Sequence, residues 1–280
     1  MPTFDTPEAI SVTARVDAGS IQFTAGDRAD TVVEVRPREA KKDQDVRAAE
    51  QTEVSYGSGV LNIKTPKPGL FGRTGTVDVT VELPTGSKID TTGAWTQVIG
   101  EGRLGETRVK TSSGDVRLDT TGPLHLTASH GSITVDRVEG SAEISTSSGS
   151  LRVGFVDGSA VMKNSHGTTT IGAVIGELRV RGANGDIDIA RAEDSLTAVT
   201  AHGTLRVGEA TRGTVQLETS FGAIEIGVSE GTAAWLDVSS SSGQVRNSLT
   251  SSDSPEKSED AVKIRARTKH GNIDIRRAKV

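Results

Sequence analysis

Cysteine is absent from this chain of 280 residues, and aromatic residues make up only 3% of it. Without cysteine the chain has no disulfide framework, no thiolate metal site and no cysteine nucleophile. Because aromatic residues are so few and the hydrophobic fraction is 34%, a thick core of large side chains is not expected. The composition predicts a thin core of Val, Ile and Leu.

Long apolar runs are also missing. No stretch approaches the roughly 18 apolar residues of a membrane span, and Met1 to Ile10 has neither the basic nor the apolar region of a signal peptide. These features predict a cytoplasmic protein without a transmembrane segment. The net charge of -5 and the pI near 5.6 give no general attraction for phosphate backbones, so no nucleic-acid partner is expected.

Glycine, in contrast, is abundant and periodic. Alternation of apolar and polar residues beside a turn dipeptide such as Ser113-Gly114 indicates a short strand with one buried face. Glycine suits such a turn because it adopts left-handed conformations without strain. These glycines return every 17 or 18 residues, at Gly114, Gly131, Gly149, Gly167, Gly185 and Gly203.

A second glycine series lies halfway between the members of the first. Its members are Gly105, Gly122, Gly140, Gly158, Gly176 and Gly213, with Asp194 in place of one glycine. Two strands and two turns therefore form a coil of about 18 residues, and successive coils stack in parallel about 4.8 Å apart. The sequence predicts an all-β fold, a single-chain parallel β-solenoid with two flattened sheets (a β-helix or β-roll).

The repeat also predicts which residues point inward. The residues two before glycine in the first series are small, from Ser112 to Ser241, and are expected to fill an inward corner with little room. Trp235 follows Gly231 by four residues, an offset that is apolar and inward in the regular coils. We therefore expect Trp235 in the core.

The regularity of the repeat changes along the chain. Residues 1–90 are strand-like but irregular, and we interpret them as an N-terminal β cap continuous with the solenoid, with a short helix from Lys42 to Glu50. Residues 91–280 are interpreted as the regular solenoid. Its coil lengthens to 19 residues at Gly222 and 21 at Gly243, a polar excursion loop follows at 248–260, and the pattern resumes in a final coil at 262–275.

The repeat resembles the bacterial “putative adhesin” family of uncharacterised β-strand-repeat proteins, a domain of unknown function. The resemblance covers nearly the whole chain and is carried by Ser113 to Leu118 (SGDVRL), Asn184 to Ile189 (NGDIDI) and Val81 to Gly86 (VELPTG). It implies a β-repeat fold without a defining catalytic motif. It also implies a family in which some members are membrane-anchored or linked to envelope functions.

Four of the five histidines precede a repeat glycine and belong to a predicted structural turn ladder. Three of them fall on alternate coils, about 10 Å apart, whereas the ligands of one metal ion lie within about 2 Å of it. A pH-sensitive surface row is the alternative interpretation. The ladder consists of Gly114, Gly131, Gly149, Gly167, Gly185, Gly203, Gly222, Gly243 and Gly271, with His130, His166, His202 and His270.

No catalytic, cofactor-binding or metal-binding residues are predicted. Aspartate follows the turn glycine at Asp115 and Asp186 but not in every regular coil, as a calcium-binding roll would require. Asp186 and Asp188 lack the aromatic neighbours of a polysaccharide-cleaving site. The mixed charges of the outward row from Arg117 to Arg246 disfavour an ice-binding lattice. We expect no enzyme activity and no cofactor.

The candidate partner-contact loop lies between two predicted strands and comprises Lys64, Lys67, Leu70, Phe71 and Arg73. An apolar pair flanked by cations could contact a protein partner or, less favourably, a membrane surface. The same pair could instead fold back and plug the open end of the solenoid. The sequence leaves both roles open.

The sequence favours a non-enzymatic structural or interaction scaffold that presents flat polar sheet faces to an unknown protein partner or to itself. A cell-envelope or surface adhesin is the first alternative, and a scaffold that forms filaments end to end is the second. The basic residues Arg276, Arg277 and Lys279 disfavour the filament, because charges at a sheet edge discourage strand addition. An enzyme that acts on polysaccharide is disfavoured.

Overall fold

The computed structural model describes residues 1–66, 75–249 and 261–278, which form twenty-six strands and one helix. Contacts divide the chain into two compact units, Met1–Glu139 and Gly140–Val280. In the regular part of each unit, a strand pairs in parallel with the strand one coil away along the chain. The two units are therefore built on the same principle.

The N-terminal unit begins irregularly and becomes regular. Antiparallel pairs (β1 with β4, β4 with β7, β5 with β6) occur among its first seven strands, whereas β8 pairs in parallel with β9 and β10, β9 with β11, and β10 with β12. Its elements are β1 Thr3–Asp5, β2 Ser11–Arg15, β3 Ala18–Gly26, β4 Asp30–Pro37, α1 Asp43–Glu50, β5 Glu53–Gly57, β6 Val60–Lys64, β7 Val77–Pro84, β8 Lys88–Arg103, β9 Thr107–Ser113, β10 Val116–Thr121, β11 Leu124–His130 and β12 Ile133–Val138.

Strand β8 connects the irregular strands to the regular coils. It is 16 residues long, and its first half pairs in parallel with β2 while its second half pairs in parallel with β3. The predicted helix is confirmed as α1. Its buried Asp45 accepts hydrogen bonds from the backbone N–H groups of Thr76 and Glu39, at 2.9 and 3.2 Å. These bonds fix the helix to the backbone segments before it and before β7.

The C-terminal unit forms two sheets from alternate strands. Strands β13, β15, β17, β19 and β21 pair in succession, and so do β14, β16, β18, β20 and β22. Its elements are β13 Ala142–Ser148, β14 Leu151–Val156, β15 Ala160–His166, β16 Thr169–Val174, β17 Leu178–Asn184, β18 Ile187–Ala192, β19 Leu196–His202, β20 Leu205–Ala210, β21 Gly213–Phe221, β22 Ile224–Val228, β23 Ala233–Ser242, β24 Val245–Asn247, β25 Ala261–His270 and β26 Ile273–Arg277.

Alternate residues of the strands make the core. In β19, Leu196 and Ala198 are buried, whereas Thr197 and Val199 are partly exposed on the outer face. Burying a Val, Leu or Ile side chain stabilises the fold by about 1.5–3 kcal/mol, and every coil repeats this burial. Leu178 pairs with Leu196, one coil of 18 residues along the chain. The predicted parallel β-solenoid is therefore confirmed.

The last coil in the sequence does not stack in chain order. Strand β25 lies between β21 and β23, and β26 lies between β22 and β24, all in parallel pairs. The inward residues of β25, Val262, Ile264 and Ala266, are 0% exposed. Strand β23, in contrast, ends in four serines, Ser239–Ser242. The more apolar strand is thus covered on both sides, and the serine-rich strand lies outside it.

The prediction that Trp235 belongs to the core is wrong, because its side chain is 65% exposed. Trp235 pairs with the outward-facing Lys263, while Leu236 pairs with the buried Ile264. Through Ile264, Leu236 is level with Val215, so an inward residue stands five positions after Gly231 but two after Gly213. The segment after Gly231 therefore carries three extra residues, and a shift by an odd number of residues moves every side chain of a strand to the opposite face.

We expect Gly203→Ala to lower the free energy of unfolding by about 2–4 kcal/mol. Gly203 has φ +142°, and a Cβ atom there would lie 2.2 Å from the carbonyl oxygen of Gly185. The matched control is Gly26→Ala, where nothing lies within 4 Å of the added Cβ, so a change within about 0.5 kcal/mol is expected. Urea unfolding followed by circular dichroism measures both. Equal losses would contradict the close approach of the turns.

Candidate functional site

The turn glycines of the repeat share one backbone conformation. All nine glycines of the ladder have φ between +129° and +159°. Their neighbours His130, His166, His202 and His270 end strands β11, β15, β19 and β25 and are exposed. In the C-terminal unit, Asn184 pairs with both His166 and His202 and thus separates these two histidines.

An aromatic stack lies near the end of this ladder, one level inside the turn of Gly243. Phe221 lies between His202 and His270, with ring centroids 5.0 and 4.8 Å apart and interplanar angles of 5° and 11°. Phe221 is half-exposed, so the edges of the three rings face solvent. Among residues 1–66, 75–249 and 261–278, no three His, Asp or Glu side chains are grouped to hold a metal ion.

The inward corner of the turn lies three residues before glycine, so the predicted corner two residues before glycine is wrong. Ser112, at the predicted position, is exposed, whereas Thr111 is buried. Strand alternation continues into the turn, which makes Thr111 the next inward residue after Val109. The buried corner positions carry hydrogen-bonding side chains in several coils, at Thr111, Asn164, Thr200, Thr219 and Thr268.

The corner side chains satisfy backbone carbonyl groups of the turns. The Thr268 hydroxyl donates to the Gly222 carbonyl at 3.0 Å, and the Asn164 amide donates to the Gly149 carbonyl at 3.1 Å. The Thr200 hydroxyl lies 3.4 Å from the Ala183 carbonyl oxygen, one coil away. Because an unpaired buried carbonyl group is costly, these side chains stabilise the tight turn.

Ion pairs neutralise much of one outer face. Arg206 lies 3.2 Å from both Asp188 and Glu225, on either side of it in the stack, and its hydrogen bond lowers the pKa of Glu225. Asp186 accepts a hydrogen bond from the Thr204 backbone N–H at 2.7 Å. Asp186 and Asp188 are the two carboxylates considered for polysaccharide cleavage. Asp186 thus binds a backbone N–H group of a turn, and Asp188 binds the Arg206 side chain.

The opposite sheet of the C-terminal unit carries a row of cations. Lys263, Arg265, Arg267 and Lys269 alternate along β25 and point outward. Arg267 pairs with Asp237 at 2.6 Å. In the described part of the chain, Lys263, Arg265 and Lys269 form no ion pair. Hydrogen bonding from Arg267 lowers the pKa of Asp237, and the charges of Arg265 and Lys263 act in the same direction.

Strands β15 and β17 of the same sheet carry further outward cations, and the strand next to β25, β21, contributes the outward Glu218. The exposed Trp235 of β23 lies beside Lys263, and β17 lies about 14 Å from β25, three strand spacings away. We define the basic face as Lys163, Arg179, Arg181, Lys263, Arg265, Arg267 and Lys269, together with Trp235. Sequence reasoning missed it. The signal was the cation at every second residue from Lys263 to Lys269.

The predicted partner-contact loop lies mainly outside the described residues. Lys64 is described and forms the exposed end of β6, whereas Lys67, Leu70, Phe71 and Arg73 are not described. Of the predicted excursion loop, only Ser248 and Leu249 are described. Among the described helices, none has the length and apolar character needed to span a membrane.

A family model described as Toastrack DUF4097 matches residues 8–276. Solved structures with a similar fold include one described as a “putative adhesin” from Bacteroides fragilis NCTC 9343, with 13% identity, coverage of 98% of this chain and 95% of that chain, and a TM-score of 0.38. Another “putative adhesin”, from Parabacteroides merdae ATCC 43184, has 10% identity, coverage of 99% and 95%, and a TM-score of 0.45.

A third structure is described as a “putative lipid binding protein” from Parabacteroides distasonis ATCC 8503. Its identity is 13%, the coverage is 99% of this chain and 96% of that chain, and the TM-score is 0.40. No match was found among curated proteins.

We expect Thr200→Val to lower the free energy of unfolding by about 1 kcal/mol, because valine keeps the shape but leaves two turn carbonyl groups without the hydroxyl. Thr197→Val is the matched control, since Thr197 lies on the outer face of the same strand. Its effect should stay within about 0.5 kcal/mol. Chemical unfolding of both variants measures the difference. A control as destabilised as Thr200→Val would contradict the role of the corner hydroxyl.

Proposed function

The chain belongs to the Toastrack DUF4097 family, and from that premise we propose that it is a non-enzymatic interaction scaffold that binds an acidic protein partner through its basic face. The observation that carries this proposal is the row of Lys263, Arg265 and Lys269, which form no ion pair in the described part of the chain. On the other outer face of the same unit, Arg206 is held between two carboxylates.

Binding at this face leaves the ion pairs elsewhere in the chain intact. Lys263, Arg265 and Lys269 are exposed and have no ion-pair partner among the described residues, so carboxylates of a partner reach them without displacing a described carboxylate. An exposed ion pair contributes only about 0.2–1 kcal/mol, and several pairs on one rigid face are therefore needed. The rigid sheet supplies them at fixed spacings, with alternate residues of β25 about 6.6 Å apart.

Trp235 supports a protein partner in particular. Tryptophan is enriched in protein interfaces because it combines a large apolar surface with a hydrogen-bond donor. Its side chain is 65% exposed and lies beside Lys263 at the border of the basic row. An apolar contact flanked by charge complementarity is the arrangement that gives an interface both affinity and specificity.

The carboxylates support the non-enzymatic part of the proposal. Asp186 is bound to the Thr204 N–H group and Asp188 to Arg206, which gives both side chains structural partners. A cytoplasmic location stays a prediction, with an envelope or surface adhesin as the alternative. Cell fractionation separates these, and recovery of the protein in the envelope fraction would favour the adhesin.

We expect the combined replacement of Lys263→Gln, Arg265→Gln and Lys269→Gln to weaken binding of an acidic polypeptide at least about tenfold, or roughly 1.4 kcal/mol. Poly-L-glutamate serves as the probe, and fluorescence anisotropy measures its binding. Binding by the unsubstituted protein should weaken as salt is added, because the Debye length falls from about 10 Å at 0.1 M to about 3 Å at 1 M.

The matched control removes three cations that have carboxylate partners, Arg36, Arg108 and Arg191, by substitution with Gln. Its net charge equals that of the test variant, so retained binding would assign the effect to the basic face. Equal loss in both variants would refute a specific face. Binding of phosphatidylglycerol vesicles without binding of poly-L-glutamate would refute the protein partner and favour a membrane surface.

A further inference from the structure

Strand β23 leaves the core of the C-terminal unit unfinished. Among the described strands of the two sheets, β23 pairs with β25 on one side only. Its inward residues Leu236 and Val238 are partly exposed, whereas their register partners Ile264 and Ala266 are 0% exposed. In the second sheet, Val245 is 43% exposed and its partner Ile273 is 0% exposed. Among the described residues, nothing therefore covers the apolar side chains at this end completely.

The edge of β23 also lacks the usual protection against strand addition. Sheet edges are normally blocked by lysine, proline, bulges or inward charges. The sequence of β23, AAWLDVSSSS, contains a single charged residue, Asp237, which is paired with Arg267. The ten-residue strand thus offers backbone N–H and C=O groups to another strand without repulsion.

The segment that connects β24 with β25 is polar in sequence. Residues 250–260, between Leu249 and Ala261, read TSSDSPEKSED and contain only polar, charged and proline residues. The segment contains no Val, Ile, Leu, Met or aromatic residue that would extend the core beside Leu236 and Val238. A strand with apolar inward residues of its own is what would complete the core at this edge.

We propose that a second copy of this chain occupies the end, with β23 of each copy paired antiparallel about a twofold axis. Two identical ends are self-complementary in such an isologous contact, which closes as a dimer. When Val238 faces Val238 of the second copy, Asp237 faces Ser239 of that copy, so no like charges oppose each other. Because the twofold axis is normal to the sheet, the outward faces of the two copies lie on the same side of the joined sheet.

This arrangement completes the core and joins the two basic faces. The partly exposed Leu236 and Val238 of one copy meet the corresponding strand of the other, as β25 meets β23 within the chain. The two β25 strands then lie three strand spacings apart, about 14 Å. The inference stands on the edge and the open core alone and does not depend on the proposed partner.

The test measures the mass of the full chain by sedimentation equilibrium over a range of concentrations. We expect a monomer–dimer equilibrium that Val238→Lys weakens at least about tenfold, because two ammonium groups would face each other at the axis. Ser239→Lys is the matched control. It adds the same charge to the same strand, but on the outer face and opposite Asp237 of the second copy, so the dimer should persist.

Three results would overturn the proposal. They are a monomer at every concentration, a dimer that Val238→Lys leaves intact, and species that grow beyond the dimer. If Val238→Lys does not fold, hydrogen exchange of the unsubstituted chain decides. The amides of β23 should exchange more slowly as concentration rises, and exchange independent of concentration would refute the contact.

Discussion

The close approach between turn glycines of neighbouring coils is the contact on which the rest of the structure depends. A Cβ atom on Gly185 would lie 2.1 Å from the Gly167 carbonyl oxygen, and one on Gly203 would lie 2.2 Å from that of Gly185. Residues with side chains cannot stack this closely. Because the turns hold neighbouring coils at this distance, strands meet in fixed register, and outward side chains form straight rows.

The same contact is present at the end of the C-terminal unit. There it joins glycines that are adjacent in the stack but not successive in the sequence. Gly271 approaches the Gly222 carbonyl oxygen, and Gly243 approaches that of Gly271, both with 2.0 Å from the would-be Cβ atom. A turn glycine therefore fits at any level of the stack. What selects the order is the core, since the inner position suits the apolar Val262 and Ile264 of β25 better than the serine-rich end of β23.

Local patterns in the sequence predicted the strands, the period and the parallel solenoid, because alternation and turn chemistry act over a few residues. They failed where an odd number of inserted residues, or a turn position, changes which face of a strand a residue occupies. The predicted position of Trp235 was wrong because three extra residues follow Gly231, and the corner was misplaced because alternation continues through Thr111. The stack order could not be predicted, since pairing of β21 with β25 joins strands distant in sequence.

The stack order also decides the surface charge. Outward residues of adjacent strands lie about 4.8 Å apart. The side chains of the two adjacent strands therefore decide whether the outward charges of a strand are neutralised. Arg206 has carboxylates on both sides, whereas the two strands beside β25, β21 and β23, offer only Glu218 and Asp237 to its four cations. Stacking in chain order would have left those cations at the edge, where they would repel an added strand. The insertion instead moves them onto a broad face and leaves a nearly uncharged strand outside. One exchange of neighbours thus creates both the basic face and the unprotected edge, while the core and the turns keep their regular form.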